Sequence, residues 1–365
     1  MSGNFNIVQF LKSAVATGAS DEHLMTGHSP YVRINGSIKK ISAEPLTKED
    51  IENGILEIVP DSLKNKILEM KDMDFGYEIN GCSRFRVNYN RRLGQPALVI
   101  RNISYEIPTL SELGLPEILN EIIDYQNGIV LVTGPTGSGK STTLASLINQ
   151  ICINKSKHII TIEDPVEYVF NSKKSIVSQR QVGIDTETFT DGIKYALRQD
   201  PDVIFMGELR DKDSMSAALK AAETGHLVLS TLHTNDAVQT INRIINMFEE
   251  SNRNLVRKQL ADTLRATIAQ KLIFSESKQK RFPACEVMVV TPTIRDYMRK
   301  DQLDEIYQLI NDNSIDDMVS MNKSLAILVA LGNLSQEEAL GATNDPNELE
   351  KLFRGAYQGT KSYYE

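Results

Sequence analysis

Apolar positions along this chain alternate between helical and strand spacing for about a hundred residues and then gather into short continuous runs. Near the start, Ile7, Val8, Phe10, Leu11 and Val15 recur at helical spacing from Phe5 onward. Val32–Ile38 predicts two short strands around an Asn35-Gly36 turn. Thr47 stands where it can cap a helix through Ile51, Ile55 and Ile58, with Leu46 and Ile51 spaced as a hydrophobic staple. After a second Asn-Gly at Asn80-Gly81, Arg84-Phe85-Arg86-Val87-Asn88 alternates as a half-buried strand does, and Ala97–Ile103 is strand-like again. Residues 1–103 therefore read as a small mixed α/β domain. Residues 104–116, with Pro108, Gly114 and Pro116 among short polar pieces, suit an interdomain linker.

Beyond the linker, Gly128–Thr133, His158–Glu163, Val203–Met206 and Leu227–Leu232 are short, continuous apolar runs, the form taken by strands buried on both faces. Helical patterns separate them, so residues 117–343 predict an α/β domain with a parallel core sheet. Past about residue 250 the pattern reads as mainly helical. Residues 344–365 form a polar tail.

Composition narrows the function classes. The 365 residues carry 40 Lys and Arg against 48 Asp and Glu, a net charge of -8, which opposes broad wrapping of DNA or anionic lipid. Cys82, Cys152 and Cys285 are too few and too scattered for a disulfide framework or a four-cysteine zinc site, and fit a reducing compartment. The start, Met1-Ser2-Gly3-Asn4, lacks the basic stretch and long apolar run of a secretion signal. Apolar runs such as Ile129–Val132 and Leu325–Leu331 are too short to span a bilayer. A cytoplasmic protein without direct membrane insertion is expected, any membrane association coming through a partner.

The chemistry begins at Gly134-Pro135-Thr136-Gly137-Ser138-Gly139-Lys140-Ser141, which matches GxxxxGK[ST] at every fixed position. An apolar strand precedes it. Leu144, Leu147, Ile148 and Ile151 mark a helix after it, with Thr142 in the first turn. Glycines let successive backbone N–H groups turn inward around phosphates; Lys140 supplies charge to the β- and γ-phosphates of ATP, and Ser141 a hydroxyl to Mg²⁺.

Such a loop needs an acidic partner for the metal ion or the attacking water. Asp202–Glu208 delivers Glu208 at a strand's C-terminal edge, where open α/β sheets place ligands. Ile159–Ile162 likewise delivers Glu163 and Asp164, with Glu167 further on. One carboxylate near Mg²⁺, for which Glu208 is the candidate, and another aligning water would divide the task. Which of Glu163 and Glu208 activates water stays open. His226 and His233 bracket the strand Leu227–Leu232. His233 and Thr234 at its end are placed to sense a γ-phosphate, and either histidine also suits a structural role.

These residues name a family. The phosphate loop, Ile162-Glu163-Asp164-Pro165-Val166-Glu167, Gly207-Glu208-Leu209-Arg210-Asp211 and the histidine-bracketed strand resemble, in the same order, the secretion-type ATPases, and among them the type IV pilus retraction (PilT) family. The resemblance implies a RecA-like ATPase domain preceded by a smaller PAS-like α/β domain, a homohexameric ring, and docking on an inner-membrane pilus platform protein, where ATP turnover drives pilus disassembly. It puts Glu163 in an Asp box, Glu208 in a Walker B motif, and His226 and His233 in a His box. Arg86 and Arg101 match N-terminal-domain arginines that approach nucleotide in the ring; Arg91 and Arg92 lie near a third such position, slightly out of step, and suit a surface charge run equally. Thr293–Lys300 resembles a retraction signature, keeping Ile294, Arg295 and Arg299 but ending in Lys300.

Other readings differ by single features. A PilU-like accessory retraction ATPase shares nearly all these motifs and can carry a C-terminal extension. A pilus-assembly or type II secretion ATPase commonly carries a four-cysteine element. A RecA-like DNA motor needs a basic strip with interleaved aromatics, and none is present, so no nucleic-acid partner is expected. A non-hydrolysing ATP-binding scaffold would be expected to lose Lys140 or the acidic groups.

Overall fold

The computed structural model describes residues 5–34, 36–103, 106–311 and 318–354. The chain divides into two compact units: residues 1–106 with 165–169, and residues 107–164 with 170–365.

In the first unit, helix α1 (Ile7–Ala16) is followed by strands β1 (Asp21–Met25), β2 (Tyr31–Ile34) and β3 (Ser37–Lys40), helix α2 (Lys48–Ile58), and strands β4 (Asp72–Ile79), β5 (Ser83–Arg92) and β6 (Gln95–Ile103). The strands form one sheet in the order β3-β2-β1-β6-β5-β4, antiparallel at every pairing. Thr47 does cap α2, exchanging hydrogen bonds with Asp50, and Leu46 and Ile51 are both buried. The helices bury Ile7, Leu11, Ile51 and Ile55 in the core that Phe75, Phe85, Val87, Leu98 and Ile100 build from the sheet. Asn35, in the expected Asn-Gly turn, lies outside the described residues. Strands β1 and β4 were not expected; β1 places Asp21, Glu22 and His23 in succession, a polar run with no strand signature.

The second unit holds strand β7 (Gly128–Thr133), helix α3 (Lys140–Asn154), strands β8 (His158–Glu163) and β9 (Ile176–Gln181), helix α4 (Phe189–Ala196), strand β10 (Val203–Met206), helix α5 (Lys212–Glu223), strand β11 (Leu227–Leu232), and helices α6 (Ala237–Asn246) and α7 (Glu250–Thr263). Then come strands β12 (Leu264–Ser275) and β13 (Lys280–Val289), and helices α8 (Pro292–Lys300), α9 (Leu303–Asn311), α10 (Met321–Ala330), α11 (Gln336–Ala342) and α12 (Pro346–Phe353). The sheet order is β13-β12-β7-β11-β10-β8-β9, parallel throughout except for the β12–β13 pair. The four expected strands are present with the expected bounds, so the parallel core and the smaller α/β domain before it are as read from the sequence.

Beyond residue 250 helices predominate among the described residues, but they do not make up the whole region. A long hairpin, β12–β13, interrupts the helices and pairs from Ala266↔Val289 to Ser275↔Lys280. Burial on both faces removed the alternation that would have revealed it, since residues 266–270 are all buried. The helices beyond are tied to this hairpin. Lys271 Nζ donates to Ala342 O at the end of α11, and Cys285 N donates to Ser324 Oγ of α10. The polar tail begins with an ordered helix: Asp345 caps α12, and Leu349 is fully buried in a cluster with Leu325 and Leu328. Residues 355–365 of the tail lie outside the described residues.

Candidate active site

Parallel strands deliver their following loops to one edge of a sheet. Here β7, β11, β10 and β8, in that spatial order, bring the phosphate loop, His233, Glu208 and Glu163 to the same edge. With strands about 4.8 Å apart, the axis of β10 lies roughly 10 Å from that of β7, and the axis of β8 roughly 14 Å.

The loop leaves β7 at Gly134 and enters α3 at Lys140. Gly134, Gly137 and Gly139 have φ of 141°, 79° and 88°, values that favour glycine. At Gly134 space also excludes a side chain: a Cβ would stand 2.2 Å from Gln270 O and 2.6 Å from Ser138 Oγ. Pro135, Thr136 and Gly137 are exposed, while Ser141 and Thr142 are half-buried in the first turn of α3. Lys140 is buried and its Nζ donates to Gly134 O at 2.9 Å and Pro135 O at 3.0 Å, which holds the ammonium inside the loop. Ser138 Oγ is buried without a partner among the described residues. A buried ammonium, an orphaned hydroxyl and a bend closed to side chains fit a phosphate group at a helix N-terminus.

The acidic residues sit differently from one another. Glu163 is buried; its Oε1 accepts from Thr161 Oγ1 at 2.6 Å and Gln179 Nε2 at 3.2 Å. Glu208 is more open. Its Oε1 lies 3.1 Å from His233 Nε2 and its Oε2 accepts from Arg210 Nε at 2.8 Å. Just before it, Ser230 Oγ donates to Met206 O and Thr231 Oγ1 to Gly207 O, both from β11. These bonds lock the ends of β10 and β11 together, so Glu208 and His233 are positioned as a pair. Asp164 also lies at this sheet edge, directly after Glu163, and Glu167 falls in the short segment grouped with the first unit.

The two histidines separate. β11 lies between them, so His226 is roughly 20 Å from His233, at the opposite edge of the sheet. Its Nδ1 lies 3.0 Å from Ala221 O and 3.2 Å from Thr224 Oγ1, a structural setting at the end of α5. Thr234, read beside His233 as a phosphate sensor, is buried with its hydroxyl 2.7 Å from that of Thr240 in α6.

In the first unit Arg86 and Arg101 face each other across β5 and β6. Each has a carboxylate on its outer side, Asp74 at 4.0 Å from Arg86 and Asp21 at 2.9 Å from Arg101. Those carboxylates offset the repulsion between directly opposed like charges. Arg91 is occupied otherwise: it donates to the carbonyls of Leu68, Met70 and Gly94. Arg92 lies at the turn end of the same hairpin, paired with Gln95, its Nη1 3.8 Å from Met25 Sδ. In α8, Ile294 and Met298 are buried, and Arg299 is paired with Asp262 of α7, so this arginine has a partner within its own unit.

Gln270 went unread in the sequence. It lies one residue past the last β7–β12 pair, Ala269↔Thr133, and touches the phosphate loop. A polar residue interrupting the buried run of β12 is the trace it leaves in the sequence.

Mg²⁺ in phosphate-loop sites keeps several waters and takes one or two protein oxygens besides phosphate. The Ser141 hydroxyl and a Glu208 carboxylate oxygen are hard donors of that kind, and no group of three or more His, Cys, Asp or Glu able to hold a metal occurs among the described residues. No helix among them is long and apolar enough to cross a membrane.

A family model described as type II/IV secretion system protein matches residues 6–316. The type IV pilus retractation ATPase PilT of Pseudomonas aeruginosa is 41% identical over 335 residues, covering 92% of this chain and 97% of that one. The type IV pilus ATPase PilU of the same organism is 36% identical over 348 residues, covering 95% and 91%. A solved structure of the pilus retraction motor PilT with bound ADP matches with a TM-score of 0.88 at 43% identity, over 95% of this chain and 99% of that one.

Proposed function

Because this chain belongs to the type II/IV secretion system protein family, we propose that it is a pilus retraction motor, an ATPase whose turnover drives type IV pilus disassembly. One observation carries the reading: a complete phosphate loop shares a sheet edge with Glu208, His233 and Glu163, in a chain similar to PilT along nearly its whole length.

Lys140, the loop N–H groups and the orphaned Ser138 hydroxyl hold the phosphates of ATP, with Thr142 beside them. Ser141 and Glu208 would hold Mg²⁺, which supplies charge neutralisation at the transferring phosphoryl group. His233, paired to Glu208, fixes the carboxylate's orientation and reports on the γ-phosphate. Glu163, held by Thr161 and Gln179, orients the attacking water and accepts its proton. Arg86 and Arg101, on a unit separate from the loop, act across subunits of a homohexamer. The ring docks on an inner-membrane platform protein, and the motor is cytoplasmic, peripheral to that membrane.

A PilU-like accessory motor is the second reading, favoured by the longer match to PilU, 348 residues against 335. Deleting the gene in its host tests both. Excess surface pili without twitching support a primary retraction motor. Twitching that persists but fails under load supports the accessory role, and bald cells overturn both.

A further inference from the structure

Strands β7 and β12 run parallel as far as Thr133 and Ala269, and the next residues, Gly134 and Gln270, leave the ladder side by side. Gln270 is 4% exposed, and its side-chain amide bonds the phosphate loop and the helix after it. Its backbone carbonyl oxygen occupies the space beside Gly134, where a Cβ would stand 2.2 Å away. Its Nε2 donates to Ser138 O at 2.7 Å and would lie 2.8 Å from a Cβ at Gly139. Its Oε1 accepts from Thr143 Oγ1 at 2.7 Å, in the first turn of α3. Gln270 thus meets the beginning of the loop through its main chain, and the loop's end and the helix after it through its side-chain amide.

These contacts give two glycines of the motif a second reason to be glycine. The two amide bonds, to Ser138 O and from Thr143 Oγ1, also require a particular side chain. Glutamate keeps the acceptor for Thr143 but has no donor for Ser138 O; methionine has the length and neither hydrogen bond; asparagine is too short to span both. Lys140 depends on the same segment, since its ammonium rests on the carbonyls of Gly134 and Pro135.

We propose that Gln270 is a positioning residue for nucleotide, holding the loop from Gly134 to Gly139 in the curvature that presents its N–H groups and Lys140 to phosphate. The inference rests on reading that loop as the phosphate site. A buried amide could instead serve only to pack β12 against α3. The two roles separate experimentally, because packing alone alters stability and leaves the affinity of the folded protein unchanged.

The test compares the full-length chain with Gln270→Met, Gln270→Glu and Thr143→Val, measuring ADP affinity with a fluorescent ADP analogue well below each melting temperature. Thermal unfolding and the steady-state constants for ATP are recorded alongside. Loss of both amide bonds in Gln270→Met is expected to weaken ADP binding about tenfold or more. Gln270→Glu, which lacks the donor and adds a negative charge, is expected to bind more weakly still. Thr143→Val is expected to weaken binding about threefold, and Gln270→Met with Thr143→Val to be no weaker than Gln270→Met alone, since both break one network. Unchanged ADP affinity in Gln270→Met and Thr143→Val, with only lowered melting temperatures, overturns the proposal. If Gln270→Met does not fold, Thr143→Val decides alone: weakened ADP binding supports the role and unchanged binding overturns it. A wild-type chain that binds no ADP removes the phosphate reading and this inference with it, whereas tight wild-type binding with unaltered variants removes this inference alone.

Discussion

Glu208 presents one carboxylate oxygen to His233 Nε2 at 3.1 Å and the other to Arg210 Nε at 2.8 Å. The carboxylate is therefore held from both sides, by a residue on the neighbouring strand's end and by one two positions further along its own chain. Holding of this kind serves transition-state electrostatics, which depend on groups already in place. Glu208→Gln and Glu163→Gln are each expected to lower ATP turnover by about 10²-fold or more while ADP binding survives. His233→Ala, which frees one side of Glu208, is expected to lower kcat less than Glu208→Gln does. Steady-state kinetics with a parallel binding titration check this, and near-normal kcat in both carboxamide variants would remove these carboxylates from the mechanism.

Lys140 is buried on the loop's own carbonyls, so its loss removes charge from the phosphate site without opening a core. Lys140→Ala is expected to fold, by circular dichroism, and to hydrolyse ATP at background rate.

Arg86 and Arg101 are opposed across two strands, each balanced by its own carboxylate. A half-exposed pair such as Arg86 with Asp74 contributes at most about 1 kcal/mol to stability, whereas Arg101 holds a buried carboxylate, Asp21, which Arg33 also approaches. An arginine stabilising a phosphoryl-transfer transition state is worth about 10³–10⁵ in rate, or roughly 4–7 kcal/mol. Both Arg86→Ala and Arg101→Ala should therefore cut turnover severely, Arg86→Ala with a melting temperature nearly unchanged and Arg101→Ala with a lowered one. Mixed rings of Arg101→Ala and Lys140→Ala subunits should regain part of the activity. Full turnover by a dilute monomer would sink the idea of action between subunits.

Glu22 supplies a pH dependence. Burial above all, with the charge of Asp21 and against the hydrogen bond from the Asn102 amide, pushes its carboxyl up to about 8. The Nδ2 of Asn102 donates to Glu22 Oε1 at 2.8 Å, and both Glu22 Oε2 and Asn102 Oδ1 are buried without partners among the described residues. Near neutral pH the folded chain keeps this proton, whereas the unfolded chain loses it above about 4.5. Unfolding then releases a proton, so the contribution to stability is full below about 4.5 and is lost as pH rises through about 8. Thermal unfolding across that range should show the decline, and Glu22→Gln should flatten it.

Arg299 is paired with Asp262, and both side chains are about half exposed. Breaking so open a pair costs little. Changing Arg295 and Arg299 together to Ala should preserve ring formation and most turnover and abolish twitching in a complemented deletion strain. Asp262→Asn breaks the same pair and should leave twitching intact. Equal loss of twitching in both would assign the arginine to structure alone.

Local chemistry was legible in the sequence where it is written locally. The phosphate loop spans consecutive residues, and Glu163, Glu208 and His233 each follow an apolar run that could only be a buried strand. The same runs showed that Leu227–Leu232 separates His226 from His233, although their shared motif drew them together. The hairpin β12–β13 was hidden because burial on both faces erased its alternation. Gln270 was hidden with it: its meaning lies in Ser138 and Thr143, more than a hundred residues away, which only the β7–β12 pairing brings near. Strand β1 escaped for the opposite reason, since Asp21 and Glu22 are buried by partners rather than by apolar character.

The hairpin also has a mechanical meaning. Its β12 arm runs beside the phosphate-loop strand, while Lys271 and the Cys285 backbone fasten the hairpin to α11 and α10. Tension along the strands that enters β13 through Cys285 would load the ladder from Ala266↔Val289 to Ser275↔Lys280 in shear, while tension through Lys271 reaches β12 directly. In shear the rungs share the force and yield together, whereas a pull across the ladder would peel them one at a time. Part of the path between the C-terminal helices and the phosphate loop is thus stiff along the strands and compliant across them, an anisotropy suited to passing on displacement without unravelling.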